Sequence, residues 1–285
     1  MSAVYFARHV HDWECPDLIG SVIEHLYKNS LIGVWFDAVE SWNEADYSSI
    51  GNGRSAIRYM NRCNEDGDAI VFATYKLAGG NRVVWGRPLA GSKAFFREHL
   101  GRTSTIPLKT LRLANAQDVP MDKFPYAHLL APQQSTFVRW SQCEHVANRF
   151  VDGMPPDIED PRTFMPAAIE VLCVEYLRRE NVLHRNLVRT GGTLKHFDIV
   201  GLDSGGKRVL AQVKARSDAA TRRRFANTCR ELDKDGGRWF FFADGLENAG
   251  PEPGVTTESI HNVLQTFLKN DRDRDYLTRV ACLSM

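Results

Sequence analysis

The chain has 285 residues, 43% of them apolar and 25% charged, with a formal net charge of +1. At roughly 150 residues per domain this is enough for two domains, and its fifteen Phe, eight Tyr and six Trp exclude a largely disordered polymer. No run approaches the roughly 18 apolar residues of a membrane span, and the opening MSAVYFARHVHDWE lacks a basic-then-apolar leader, so the chain reads as cytoplasmic with no membrane partner. The cysteines at 15, 63, 143, 173, 229 and 282 form no CxxC pair and read as buried reduced thiols. His9, His11 and Cys15 lack a partner pair at zinc-finger spacing, so they do not read as a metal site.

The first half reads mainly as strands. Leu31–Phe36 is a short apolar run, and Ala69–Tyr75 follows the turn Asp66-Gly67-Asp68. Arg82–Arg87 follows Gly79-Gly80-Asn81, a hairpin signal between two β-rich runs, and Thr136–Trp140 is a later strand. Arg54 to Asn64 has helical spacing, with Ile57 and Met60 on one side. Together these predict a small, strongly bent β-barrel with short helices over residues 1–152. The prolines and glycine of Asp152-Gly153-Met154-Pro155-Pro156-Asp157, with Pro161 beyond, break helix and strand alike and mark a linker over 153–161.

Residues 162–285 alternate instead. Phe164, Ile169, Leu172, Cys173, Tyr176 and Leu177 recur at helical spacing between Pro161 and Asn181. Strands follow at Phe197–Gly201 and Val209–Lys214, then a helix over Thr221–Asp233 and a strand over Trp239–Ala243. A last helix is expected from the caps Thr256-Thr257-Glu258-Ser259 past Leu268. This order predicts an α/β domain whose sheet is covered on both sides.

The chemistry concentrates in Thr190-Gly191-Gly192-Thr193-Leu194-Lys195-His196-Phe197-Asp198-Ile199-Val200-Gly201 and in Ala211-Gln212-Val213-Lys214. Asp198 stands among apolar neighbours, where an unpaired carboxylate is costly. Gln212 and Lys214 are two residues apart in a strand and face one side of the sheet. A short turn at Asp203-Ser204-Gly205-Gly206 would bring them beside Asp198, and Glu170 on the preceding helix could point to the same place, with Glu175 as its competitor. Carboxylates, an amide oxygen and an ammonium around one cavity suit Mg²⁺. Between 207 and 224 seven Lys and Arg face Asp218 alone, the balance of a polyanion-facing edge.

The pattern Glu170, Asp198, Gln212-Val213-Lys214 resembles the PD-(D/E)xK nuclease superfamily, in particular its Mrr-like restriction endonucleases, over about residues 160–245. In that branch a Gly-Gly pair precedes the aspartate, and Gln replaces the second acid in a QxK motif. Here Phe197 stands where the motif's name has proline. The resemblance implies a restriction-endonuclease-like α/β domain, a mixed sheet flanked by helices, that hydrolyses DNA phosphodiesters with Mg²⁺, or Mn²⁺ as substitute. Asp198, Gln212 and Glu170 would be the metal ligands and Lys214 the residue that orients water and stabilises charge on phosphorus. Arg216, Arg222, Arg223, Arg224 and Lys195 would contact the nucleic acid. Cutting both strands of a duplex needs two such sites, so a homodimer or higher assembly is expected.

In the first half Ile32-Gly33-Val34-Trp35, Asp66–Val71 and Val84–Pro88 resemble the PUA-like/EVE group of β-rich barrels, which read nucleic acid and often hold a flipped or modified base. A base pocket needs planar faces and a few polar groups. Trp42 and Tyr47, in the polar loop 41–54, with Trp35 behind them and Asp37 and Asp46 as polar partners, are the candidates for a base or ligand pocket. Two other functions fit the same residues: a DNA-binding module that does not cleave, its second acid lost to Gln212, and a nuclease switched on by a small signalling ligand held in the first domain.

Overall fold

The computed structural model describes residues 1–9, 16–36, 39–100, 104–132, 136–187, 196–246 and 250–283, and within these all side chains but those of 16–19, 97–100, 104–106, 216 and 282–283. The chain divides into two units, Met1–Met154 and Pro155–Ser284. No described helix is long and apolar enough to cross a membrane.

The first unit runs β1 (Val4–His9), α1 (Pro16–Lys28), β2 (Leu31–Val34), α2 (Gly53–Glu65), β3 (Ile70–Leu77), β4 (Gly80–Pro88), β5 (Ala94–Leu100), β6 (Ser104–Asp118), α3 (Tyr126–Leu129), β7 (Phe137–Arg139) and α4 (Glu144–Val151). The strands form one sheet in the order β2-β6-β4-β3-β1-β7, with β5 also on β6. The fifteen-residue β6 bends the sheet. It pairs with β4 near its end through a bulge, and with β5 and β2 nearer its start. Ala56, Ile57, Met60 and Cys63 form the buried stripe of α2. Strands β1, β5 and β6 and helix α1 add to the elements the hydrophobic pattern picks out. β1 is buried along almost its whole length and so lacks the alternation of a half-exposed strand.

The bent sheet is drawn toward closure by side chains. β2 and β1 lie far apart in the strand order, yet His9 at the end of β1 accepts the Gly33 N–H through Nε2 at 2.9 Å. The proton therefore sits on Nδ1 and donates to the Thr74 carbonyl at 3.1 Å. The ring stacks on Tyr75, centroids 4.6 Å apart, and the Tyr75 hydroxyl donates to the Leu31 carbonyl at 2.8 Å. His9 is thus a structural staple. His9→Phe keeps the stack but strands a buried N–H and C=O, so urea unfolding should show a loss of about 1–3 kcal/mol. An unchanged midpoint would contradict that role.

The second unit runs α5 (Pro166–Arg179), β8 (Arg185–Asn186), β9 (Ile199–Leu202), β10 (Arg208–Arg216), α6 (Ala219–Leu232), β11 (Arg238–Asp244), β12 (Val255–Glu258), α7 (Ile260–Phe267) and α8 (Asp271–Leu283). The sheet order is β12-β11-β10-β9-β8, with β10, β11 and β12 parallel and β9 antiparallel to β10. Residues 255–258 are a strand rather than helix caps, since they pair with β11; Ser259 alone caps α7, its Oγ accepting the Asn262 N–H at 3.0 Å. One sheet face, with Val209, Ala211, Val213 and Phe242, packs with apolar residues of α5, α7 and α8. The other, with Leu210, Phe241 and Ala243, packs with Phe225 and Cys229 of α6.

Cys63, Cys143, Cys173 and Cys229 are free and buried. Arg179 of α5 holds Asp273 of α8 with two hydrogen bonds of 2.7 Å and pushes its carboxyl down to about 2. A depressed carboxylate stabilises the fold above its unfolded value and loses that contribution as pH falls toward the folded one. Stability should therefore decline between about pH 4 and pH 2, and Asp273→Asn should flatten that decline in thermal melts across the range.

Candidate active site

The β9–β10 hairpin sets the site's frame. Its turn is fixed by Asp203, whose Oδ1 accepts the N–H groups of Gly205 and Lys207 at 2.9 Å each, while Gly206 takes φ +81°. The register pairs Ile199 with Ala211, and Asp198 N–H extends the ladder to the Ala211 carbonyl at 2.9 Å. Asp198 therefore ends its strand beside the carboxyl half of β10. Its Oδ2 accepts the Val213 N–H at 2.8 Å and stands 3.8 Å from the Lys214 ammonium. That peptide N–H lies between Gln212 and Lys214 in sequence, so the carboxylate is anchored at the QxK segment itself.

Gln212 and Lys214 share the face of Leu210, in register with Phe241 and Ala243 of β11. Gln212 is half-buried, and its amide makes no hydrogen bond among the described residues. The structure thus brings Asp198, Gln212 and Lys214 to one end of the sheet, and the oxygens of Asp198 and Gln212 are the kind that hard divalent cations take.

Glu170 arrives differently. α5 covers the Val209–Ala211–Val213 face, the opposite one from Gln212 and Lys214, and what Glu170 shares with Asp198 is their common neighbour, the buried Cys173. Burial pushes that thiol well up, and the carboxylates of Glu170, Asp198 and Asp244 raise it further. Glu175 is paired with Arg178 at 2.5 Å and lines a groove with Asp273 and Tyr276 of α8.

Asp244 is a carboxylate the sequence reading passed over. It ends β11, in register with Arg216, and its Oδ1 accepts the His261 N–H at 3.3 Å in the first turn of α7. The signal was present: an acid directly after the apolar run Phe240–Ala243, as Asp198 directly precedes Ile199-Val200.

The basic residues of 207–224 do not form one patch. Lys207 and Arg208 lie at the start of β10, roughly 26 Å from Arg216 at about 3.3 Å per residue. Arg208 there meets the buried Asp233 at 3.7 Å. Arg222 is buried rather than offered to solvent, with one guanidinium nitrogen on Thr257 Oγ1 at 3.3 Å and another on the Gly250 carbonyl. Arg223 is exposed, 4.0 Å from Glu252, and Arg224 is exposed and bonded to Thr221 Oγ1 at 3.1 Å. Lys195, the Gly191-Gly192 turn and the Arg216 side chain lie outside the described residues.

In the first unit Tyr47 is core rather than a stacking platform. It is fully buried, its hydroxyl bonds the Ser41 and Val39 carbonyls at 2.6 and 3.3 Å, and Lys109 Nζ stands 5.2 Å over its ring. Trp35 and Trp42 are half-buried, and Trp42 carries Lys93 Nζ at 5.5 Å over its ring. The Asp46 carboxylate accepts from Ser41 Oγ at 2.5 Å. Asp37 lies outside the described residues.

No protein-family model and no curated relative matches the chain. Solved structures to which it is similar include an EndoMS–dsDNA complex, 14% identical over 66% of this chain and 74% of that one, with a TM-score of 0.23. Another is a repair endonuclease from Pyrococcus abyssi, 13% identical over 83% of this chain and 95% of that one, with a TM-score of 0.21. Likeness at these scores carries no argument, and the functional reading rests on the site's own geometry.

Gly201 holds the frame together from behind. A Cβ there would fall on Leu183 Cδ1 and the Arg185 carbonyl, so β8 can approach β9 only across a glycine. Gly201→Ala should cost about 1–3 kcal/mol in chemical denaturation by overpacking. A neutral result would show that β8 is free to move away.

Proposed function

We propose that the chain is a Mg²⁺-dependent endonuclease that hydrolyses DNA phosphodiester bonds, of the restriction or anti-phage type, acting as a homodimer or larger assembly. The observation that carries this reading is the Asp198 carboxylate, anchored on the Val213 N–H and 3.8 Å from the Lys214 ammonium, at the QxK segment that carries the half-buried Gln212.

Asp198 and Gln212 would hold the metal, with Glu170 reaching it at the sheet's end. Mg²⁺ bound there supplies a Lewis acid for a phosphoryl oxygen and lowers the pKa of a coordinated water. Lys214, partly exposed at the strand's end, orients the attacking water and stabilises the charge that grows on the phosphorus oxygens. Gln212 donates oxygen without charge, so Asp198 carries most of the cation's electrostatic attraction, and losing it should be the more severe change. Arg223 and Arg224, exposed on α6 just beyond β10, would meet backbone phosphates. The first unit is the specificity module in this reading, with Trp42 and Trp35 as its half-buried aromatic surfaces.

Purified protein incubated with Mg²⁺ and two DNA pools, one unmodified and one carrying modified bases, tests the proposal. Cleavage is expected, with a loss of about a hundredfold or more in Asp198→Asn and Lys214→Ala. Gln212→Glu should retain activity, and Gln212→Leu should lose it. Cleavage untouched by these changes, or none in either pool, would overturn the reading. Salt-sensitive binding without cleavage would assign a non-cleaving DNA-binding module.

A further inference from the structure

Arg222 lies in the first turn of α6, 4% exposed, against the carboxyl ends of β11 and β12. Its guanidinium donates to two neutral acceptors, Thr257 Oγ1 and the Gly250 carbonyl, and its Nε has no partner among the described residues. Among the described residues no carboxylate pairs with it, and a buried cation without a counter-anion is among the costliest arrangements a fold can keep. The acid on the nearby segment, Glu252, goes to Arg223 and Arg230 instead.

The same guanidinium borders a cavity of about 420 Å³, walled also by Thr257, Glu258, Ser259 and Asn262. That volume lies in the range that accepts small organic ligands, roughly 300–1,000 Å³. Glu258 is held in place by the Tyr176 hydroxyl at 3.3 Å and the Asn262 amide at 2.9 Å. Burial and then the Glu258 carboxylate push the Tyr176 hydroxyl up to about 12, so it stays a donor to Glu258. The cavity thus offers a cation that no carboxylate pairs among the described residues and, on the same wall set, a fixed carboxylate that takes N–H donors.

We propose that this cavity binds a nucleoside monophosphate, with the phosphate on the Arg222 guanidinium and an N–H group of the base toward Glu258. A guanidinium's planar fork matches phosphate oxygens. The phosphate can belong to a free nucleotide or to the 5′ end of a DNA strand. The cavity's wall begins at Ala243, the register partner of Lys214 one strand away at about 4.8 Å, but its occupancy does not require the hydrolytic reading to hold.

The test follows the Arg222 Nε–H resonance of the full chain by nitrogen–proton correlation spectroscopy, without divalent metal. Deoxyadenosine monophosphate should shift that resonance, inorganic phosphate should do so at higher concentration, and deoxyadenosine should not. Arg222→Lys should lose about tenfold or more of the nucleotide affinity measured by calorimetry. Should that variant fail to fold, Asn262→Trp, a change at an exposed rim position, should block binding and leave the thermal melt intact. A preference for a 5′-phosphorylated over a 5′-hydroxyl oligonucleotide, erased by the mononucleotide, assigns the strand end. Mononucleotide binding without that preference assigns the free nucleotide. No shift with any phosphate compound, undiminished binding in both variants, or equal binding of deoxyadenosine or glycine would overturn the proposal. Because no metal or cleavage enters the assay, its failure is distinguishable from failure of the nuclease reading.

Discussion

One hydrogen bond organises the candidate site: the Val213 N–H donated to the Asp198 carboxylate at 2.8 Å. It is made by a backbone group at the carboxyl half of β10, where Asp198 has already extended the hairpin ladder, so it fixes the acid without using a side chain that chemistry would need. A peptide N–H donor and a nearby ammonium offset part of the carboxylate's desolvation, which lets it sit next to the apolar sheet. Everything else in the arrangement is measured from that anchor. Lys214 stands 3.8 Å from it, Gln212 is the preceding same-face residue, and the Asp203 turn sets the register that makes the meeting possible.

The site's end of the sheet is rich in groups because β10, β11 and β12 run parallel. Their carboxyl ends converge, and each contributes a polar residue: Lys214, Asp244 and Glu258. A parallel array therefore supplies both the Asp198 centre and the Arg222 cavity from successive strand ends, as open α/β sheets commonly do at their carboxyl edge. The helices divide the labour. α6 carries Arg222 inward and Arg223 and Arg224 outward, since neighbours on a helix are turned by about 100°.

Much of this was legible in the sequence wherever local chemistry is sufficient. The β9–β10 hairpin followed from Asp203-Ser204-Gly205-Gly206, and the placement of Gln212 and Lys214 on one side followed from the period of a strand. The buried stripe of α2 and the helical spacing of α5 were equally plain. What could not be read depended on partners distant in sequence. Seven basic residues looked like one patch, but a nine-residue strand carries Lys207 and Arg208 far from Arg222–Arg224. Arg222 itself is indistinguishable from its neighbours until Thr257 and Gly250 close around it. Tyr47 sits in a polar loop yet is wholly buried, because the loop folds its carbonyls onto the hydroxyl. Strand β12 was hidden because Thr256, Thr257 and Glu258 are as fit for caps as for a strand, and only pairing with β11 decides between them. His9 had no local signal for its role as a staple, which depends on Gly33 and Thr74 arriving beside it.

The account turns on whether Asp198, Gln212 and Lys214 form a metal centre. The most direct measurement is paramagnetic broadening of backbone amide resonances as Mn²⁺ is titrated into the wild-type chain and into Asp198→Asn. The account predicts selective early broadening at residues 198 and 212–214, lost in the variant. Broadening centred elsewhere, or identical in both proteins, would contradict it.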